Sequence, residues 1–414
     1  MGNIAKFMET SGQLSTTGLR CSEPECATAV PREYRGYLCP KCGNLLEAVV
    51  DPGPASAEQL RQLWRERRSS NRKLDASGVW RFREFLPGAS EESVVTLAEG
   101  NVPLIPGQKT AGYAGVEHLW FKHLGWNPTG SFKDLGMTMA VTEARRQGAK
   151  IVACASTGNT AASMAAYAAR GNLRARVYLP RGGTSMAKLA QALDFGAEIQ
   201  YVDGNFDDAL RTLMNEQDPS LYFLNSINPF RIEGQKTAIF HLLDQMDWNA
   251  PDFIVVPGGN LGNSSAFGKA IRELANFGLL PKVPRLVIVQ ARGSNALVRT
   301  VRAGAHQLEV VADPQTMATA IRIGEPKSWK KALQAIRFTG GLVIDVDDDE
   351  IIAAKAELGR DGIGSEPASA TTLAGIRNLV ASGAMAPHAR IVAFLTGHAL
   401  KDTDAILRSV GKQG

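Results

Sequence analysis

From His118 onward the sequence alternates short apolar runs with amphipathic stretches of about ten residues, and few folds accept that rhythm. Residues 118–122, 151–155, 175–179, 198–202 and 221–224 read as strands, and 134–147, 160–169, 185–195 and 206–215 read as the helices between them. The pattern resumes with strands at 253–257, 286–290, 342–346 and 390–395. Strands and helices of these lengths, taken in turn, join by right-handed crossovers, which makes parallel sheets covered by helices on both faces. The expected class is α/β, in three layers.

The 414 residues suffice for two or three domains, and 44% hydrophobic with 21% charged residues is an ordinary globular composition. A net charge of +5, from 46 basic and 41 acidic residues spread along the chain, gives no reason to expect nucleic acid and suits an anionic substrate. The first fifteen residues lack an apolar core of signal-peptide length, and no apolar run approaches the ~20 residues of a membrane span, so a cytoplasmic protein is expected.

Of five cysteines, four fall between Cys21 and Cys42. Cys21 and Cys26 are separated by four residues, whereas Cys39-Pro40-Lys41-Cys42-Gly43 has the two-residue gap and the glycine turn of a zinc knuckle. Four thiolates in two close pairs can complete a tetrahedral structural zinc site; the alternative is a ribbon that keeps its fold without metal. Residues 1–50 are read as this zinc-ribbon-like appendage. A Pro/Gly/Ala/Ser stretch from Asp51, an arginine-rich helix over 57–68 and the aromatic anchors Trp80, Phe82 and Phe85 make 51–95 a linker and N-terminal extension.

In open parallel sheets ligands bind beyond the carboxyl ends of strands. Three loops there are distinctive. Ser156-Thr157-Gly158-Asn159-Thr160 puts hydroxyls and an amide at a helix N-terminus, more polar groups than capping requires. Gly258-Gly259-Asn260-Leu261-Gly262-Asn263-Ser264-Ser265 allows backbone N–H groups to surround a phosphate, but matches neither the Walker nor the Rossmann spacing. Thr396-Gly397-His398 offers a hydroxyl to a heterocycle, His398 being read as structural. A fourth stretch, Asn127 to Asp134, carries Lys133 just before a helix, where nearby N–H dipoles disfavour the charged amine and favour a nucleophile. An amine, a phosphate cradle and a hydroxyl at strand ends together fit pyridoxal phosphate.

These motifs, with Gly364-Ser365-Glu366-Pro367-Ala368-Ser369-Ala370 and the Asn225–Lys236 segment, closely resemble the threonine synthases, a family in the tryptophan-synthase-β-like group of pyridoxal phosphate enzymes of fold type II. The resemblance covers roughly Gly78 to Asp402. It implies Lys133 as the Schiff-base lysine and catalytic residue, Asn159 at the cofactor's ring hydroxyl, Gly259, Asn260, Leu261, Gly262 and Asn263 around its phosphate, and Thr396 at the pyridine nitrogen. It implies further that Thr160, Ser226, Arg231 and Asn263 receive the phosphate of O-phosphohomoserine; the planar fork of Arg231 suits that group. Two three-layer domains are implied: 96–133 with 245–414 as the large cofactor-binding domain, and 134–244 as a small mobile one. A homodimer is implied by the same analogy.

Two departures stand out. The family usually has Thr at Val102 and commonly Arg at Leu135. The first leaves room for a paralogue acting on another phosphorylated amino acid, as in cysteate synthase, or for a serine/threonine dehydratase. A non-enzymatic zinc-ribbon binding protein is the rival from another class, although the ribbon lacks the basic and aromatic surface of a nucleic-acid module.

Overall fold

A computed structural model describes residues 16–156, 158–181 and 186–404; the first fifteen residues, Thr157, residue 185 of the expected helix and the last ten residues of the expected large domain lie outside them. In chain order the elements are β1 (Thr16–Cys21), β2 (Ala29–Val30), β3 (Leu46–Val50), α1 (Ala57–Arg68), β4 (Leu104–Pro106), α2 (Lys109–Ala114), β5 (His118–His123), α3 (Lys133–Arg146), β6 (Ile151–Ala155), α4 (Asn159–Arg170), β7 (Arg174–Pro180), α5 (Met186–Asp194), β8 (Glu198–Val202), α6 (Phe206–Met214), β9 (Leu221–Phe223) and α7 (Pro229–Gln245). Then follow β10 (Phe253–Pro257), α8 (Gly262–Asn276), β11 (Arg285–Ala291), α9 (Ala296–Arg302), α10 (Trp329–Thr339), β12 (Leu342–Val346), α11 (Asp348–Arg360), α12 (Pro367–Ala381) and β13 (Arg390–Leu395). The chain divides into two compact units, one of residues up to Asn101 with Lys133–Ala238, the other of Val102–Phe132 with Ile239 onward.

The second unit holds a six-stranded sheet in the order β12-β11-β10-β13-β5-β4, parallel except at β4. Every residue of β10 is buried, as expected of a strand covered on both faces, and Val255, Val289, Phe121 and Leu395 pack with Leu373 and Ile376 of α12 in one core cluster. The winding β10→β11→β12 proceeds to one side and β13 returns on the other. A topological switch point therefore lies between β10 and β13. Antiparallel β4 went unread in the sequence: it has three residues, and its Pro106 is tolerated because the strand is an edge.

In the first unit a four-stranded parallel sheet runs β8-β7-β6-β9, and β1 to β3 form a separate antiparallel sheet in the order β2-β1-β3. Helix α3 begins at Lys133, one residue earlier than expected, and is buried from Asp134 through Ala144. Such burial needs close neighbours without side chains. A Cβ on Gly234 of α7 would overlap the carbonyl oxygen of Leu135, and one on Gly136 would come within 3.3 Å of the Arg231 Cβ, so two glycines set the spacing of α3 and α7. Leu135 itself is buried.

Candidate functional site

The six-stranded unit brings two of the sequence-read loops to its switch point. β10 pairs with β13 in register Val255↔Ala393, so the loop after Pro257 and the turn at Thr396 leave neighbouring strand ends. Gly258 donates its N–H to Val289 at 2.7 Å and accepts from the Gln290 carboxamide at 3.3 Å, which fixes the root of the loop. Asn260 turns its carboxamide oxygen toward the Lys327 N–H at 2.6 Å, a loop-bracing contact. Leu261 stands at φ 63°, a left-handed conformation that costs a non-glycine residue roughly 1–2 kcal/mol, and its apolar side chain is buried. That turn delivers the N-terminus of α8, with its unpaired N–H groups and positive dipole end.

There the side-chain polar atoms of Asn263, both oxygen and nitrogen, and the hydroxyl of Ser264 are buried without a protein partner. Buried polar groups are ordinarily hydrogen-bonded, so three such atoms at one helix N-terminus mark a place built for a polar guest. An anionic phosphate fits this donor set.

Beside it, Thr396 is buried. Its hydroxyl lies 3.2 Å from the Ser369 hydroxyl and donates to the Glu366 carboxylate at 3.3 Å. Ser369 also accepts from the N–H groups of Thr396 and Gly397, at 2.8 and 3.2 Å. A Cβ on Gly397 would overlap the Glu366 carboxyl, so any side chain there would displace that carboxylate from Thr396. Glu366 and Ser369 stand in the quoted 364–370 motif but received no role in the sequence; what would have found them is a carboxylate and a hydroxyl three apart at a helix start. The strand end also holds the chain leading to the lysine: Phe132 donates to the Thr396 carbonyl at 2.9 Å and His398 to Gly130 at 2.9 Å. The His398 ring accepts from the Leu400 N–H at 3.2 Å.

Val102 packs its side chain in the interior, and its carbonyl accepts from the buried Lys122 amine at 2.8 Å. The same amine meets His241 Nδ1 at 2.6 Å and the Gln245 side-chain oxygen at 2.5 Å, so this second interior lysine is fully engaged.

In the four-stranded unit Lys133 opens α3 and is partly exposed, while the adjacent Asp134 is buried and accepts from Ser163 at 2.5 Å. Asn159 and Thr160 open α4, both half-buried, directly beyond β6. The segment after β9 is tied to the end of β6: Asn225 accepts from the Ala155 N–H at 3.0 Å and donates back to its carbonyl at 3.2 Å. Half-buried Ser226 follows. Arg231 is buried; one Nη donates to the Leu224 carbonyl at 3.0 Å, and its Nε has no protein partner. Burial pushes this guanidinium down to about 10, still charged at neutral pH, and pushes the neighbouring Cys154 thiol up to about 12. A buried cation with a spare donor accounts for itself best as an anion site.

The four N-terminal cysteines converge. Their sulfurs lie within 4.8 Å of one another, Cys21 to Cys42 at 3.4 Å and Cys26 to Cys39 at 3.7 Å, and none is disulfide-bonded. Four sulfurs at ~2.3 Å from one zinc stand about 3.8 Å apart in a tetrahedron, so the set fits that ion.

Residues 95–397 match the family described as pyridoxal-phosphate dependent enzyme. The threonine synthase of Methanocaldococcus jannaschii is 44% identical over 90% of this chain and 90% of its own, and that of Methanosarcina acetivorans 42% identical over 94% and 93%. Among solved structures, diaminopropionate ammonia lyase of Escherichia coli superposes with a TM-score of 0.65 at 16% identity, covering 97% of this chain and 98% of that one. A threonine deaminase isoform of Solanum lycopersicum gives 0.64 at 20% identity, covering 76% and 88%; both likenesses concern the fold.

Proposed function

We propose the following reaction and residue assignments for a chain that belongs to the pyridoxal-phosphate dependent enzyme family and, within it, to the threonine synthases. The protein is a pyridoxal-phosphate dependent lyase that converts O-phospho-L-homoserine and water to L-threonine and phosphate. The observation that carries this is identity of 42–44% to threonine synthases along four-fifths or more of the chain.

When bound, the cofactor supplies an electron sink that lets a proton leave the carbon bearing the substrate's amino group. In our reading Lys133 is the point of attachment and, once released, takes and returns that proton. Its place at the first turn of α3 favours the neutral amine this needs. Gly259 to Asn263 cradle the cofactor phosphate, a role supported by the partnerless side-chain atoms of Asn263 and Ser264. Asn159 orients the ring through its hydroxyl. Thr396 meets the ring nitrogen, with Ser369 and Glu366 fixing the direction of its hydroxyl. The substrate's phosphate goes to Thr160, Ser226, Arg231 and Asn263, where the spare Nε of Arg231 supplies a charged donor.

We assign residues 96–133 and 245–414 to the large cofactor-binding domain and 134–244 to a smaller mobile one. We read residues 1–50, of which 16–50 are described, as a zinc-ribbon-like appendage in which Cys21, Cys26, Cys39 and Cys42 hold a structural zinc, supported by the convergence of their four sulfurs; 51–95 link it onward. No helix among the described residues is long and apolar enough to cross a membrane. A cytoplasmic homodimer is the assembly we infer.

The test uses purified holoenzyme and O-phosphohomoserine. Phosphate and threonine are expected in equal amounts, and Lys133→Ala is expected to lose both turnover and the visible absorbance of the bound cofactor. Release of ammonia and a keto acid from unphosphorylated threonine, with no threonine formed from the phosphorylated substrate, would point to a dehydratase instead.

A further inference from the structure

Between β2 and the second cysteine pair runs residues 31–38, which supply no metal ligand. The base of this strap is closed on both sides: Val30 pairs with Leu19, Leu38 bridges to Leu45, and Cys39 donates its N–H to Asn44 at 2.7 Å. Its own side chains leave the ribbon and grip α3 and the loop before β9 in the same unit. Arg32 reaches the buried carboxylate of Glu143 at 2.7 Å, Glu33 reaches Arg146 at 3.1 Å, and Arg35 donates to the carbonyls of Pro219 and Gln147.

Tyr37 makes the contact of consequence. β9 is an edge strand with β6 on one side only, so the outward N–H of Phe223 has no strand to pair with. The Tyr37 hydroxyl accepts that N–H at 2.9 Å, and its ring stands edge-on to Phe223 with centroids 5.0 Å apart. Burial raises the phenol well above its usual range, so the hydroxyl stays protonated. From the peptide thus held, a short series of hydrogen bonds leads to the substrate segment. The Phe223 carbonyl accepts from the Asn228 carboxamide at 2.9 Å, the Leu224 carbonyl accepts from Arg231 at 3.0 Å, and Ile227 packs on the same small core as Tyr37.

We propose that Tyr37 is a positioning residue for the phosphate-receiving segment Ser226–Arg231, and that the four-cysteine site, by closing the base of its strap, makes substrate affinity depend on the bound metal. The proposal rests on the reading of Arg231 given above. Its physical content is that one hydroxyl and one metal ion act in series on one strand end.

The experiment compares holoenzyme, Tyr37→Phe and metal-depleted enzyme, the metal being removed by a chelating dye that reports its release. Tyr37→Phe keeps the ring and removes only the acceptor. It is expected to raise KM for O-phosphohomoserine about fivefold, the worth of one hydrogen bond, with kcat and cofactor absorbance unchanged, and to speed amide exchange in the 221–231 peptide. Metal depletion is expected to do the same to wild type and to add little to Tyr37→Phe. Unchanged KM in Tyr37→Phe, where Arg231→Lys does raise KM, overturns the positioning role. Additive effects of depletion and Tyr37→Phe, or no metal released, overturn the metal link. Should exchange quicken while KM stays fixed in both Tyr37→Phe and Arg231→Lys, the assignment of Arg231 fails and the strap contact survives it.

Discussion

In the six-stranded unit the groups assigned to the cofactor are positioned mostly by main chain, whereas in the four-stranded unit those assigned to the substrate hang on side chains. Gly258 is fixed through its own N–H and carbonyl, Leu261 by its left-handed turn, and Thr396 by strand pairing continued through Phe132 and Ser131. Arg231 and Ser226 depend instead on Asn225, Asn228 and Tyr37, each a side chain bonding a peptide group. A frame of main chain tolerates most substitutions but fails at glycine. A frame of side chains degrades by steps, one hydrogen bond at a time, and so offers positions at which affinity for a substrate can be adjusted without disturbing the cofactor.

The contrast can be broken most forcefully at Arg231. Arg231→Ala is expected to raise KM for the phosphorylated substrate on the order of a hundredfold, the loss of two charge-assisted bonds at roughly 1.5 kcal/mol each, while cofactor affinity changes little. Equal losses in both, read by substrate kinetics and cofactor titration, would erase the division between the two units.

Gly258→Ala probes the other side. A Cβ there comes 2.7 Å from Ile288 and 2.9 Å from Gln290, inside a filled sheet, so the variant should lose about 1–3 kcal/mol in denaturant unfolding and bind the cofactor about tenfold more weakly. Its KM for substrate, measured with cofactor in excess, should stay near wild type.

The smallest effect expected is one of pH. His123 ends β5 in the interior, and burial holds its pKa below the usual histidine value, with His398 nearby lowering it further. Because the unfolded chain takes up this proton first, stability falls as pH drops through about 6.5 and levels off below the lowered folded value. His123→Gln should flatten that slope between pH 7 and 5 in thermal unfolding.

Much of this was written in the sequence where the signal is local. The strand–helix alternation gave the parallel sheets, and the glycine-rich run after Pro257 and the second cysteine pair announced themselves by composition. What escaped was non-local or short. Tyr37 and Phe223 lie 186 residues apart, so no window joins them. Antiparallel β4 is too brief for periodicity, and Glu366 gains meaning only once α12 brings it beneath Thr396. The departure at Val102 reads differently in three dimensions: its side chain is packed away in the interior and its carbonyl holds Lys122.

The contact of Gly234 with the Leu135 carbonyl decides what can be inherited here. It joins main chain to main chain, so the identity of residue 135 is invisible to it, and that position can drift among side chains its buried surroundings accept. The glycine cannot. A change at either of the first two bases of its codon would set a side chain against the Leu135 carbonyl, and trimming a neighbouring side chain would not make room, since the obstacle is main chain.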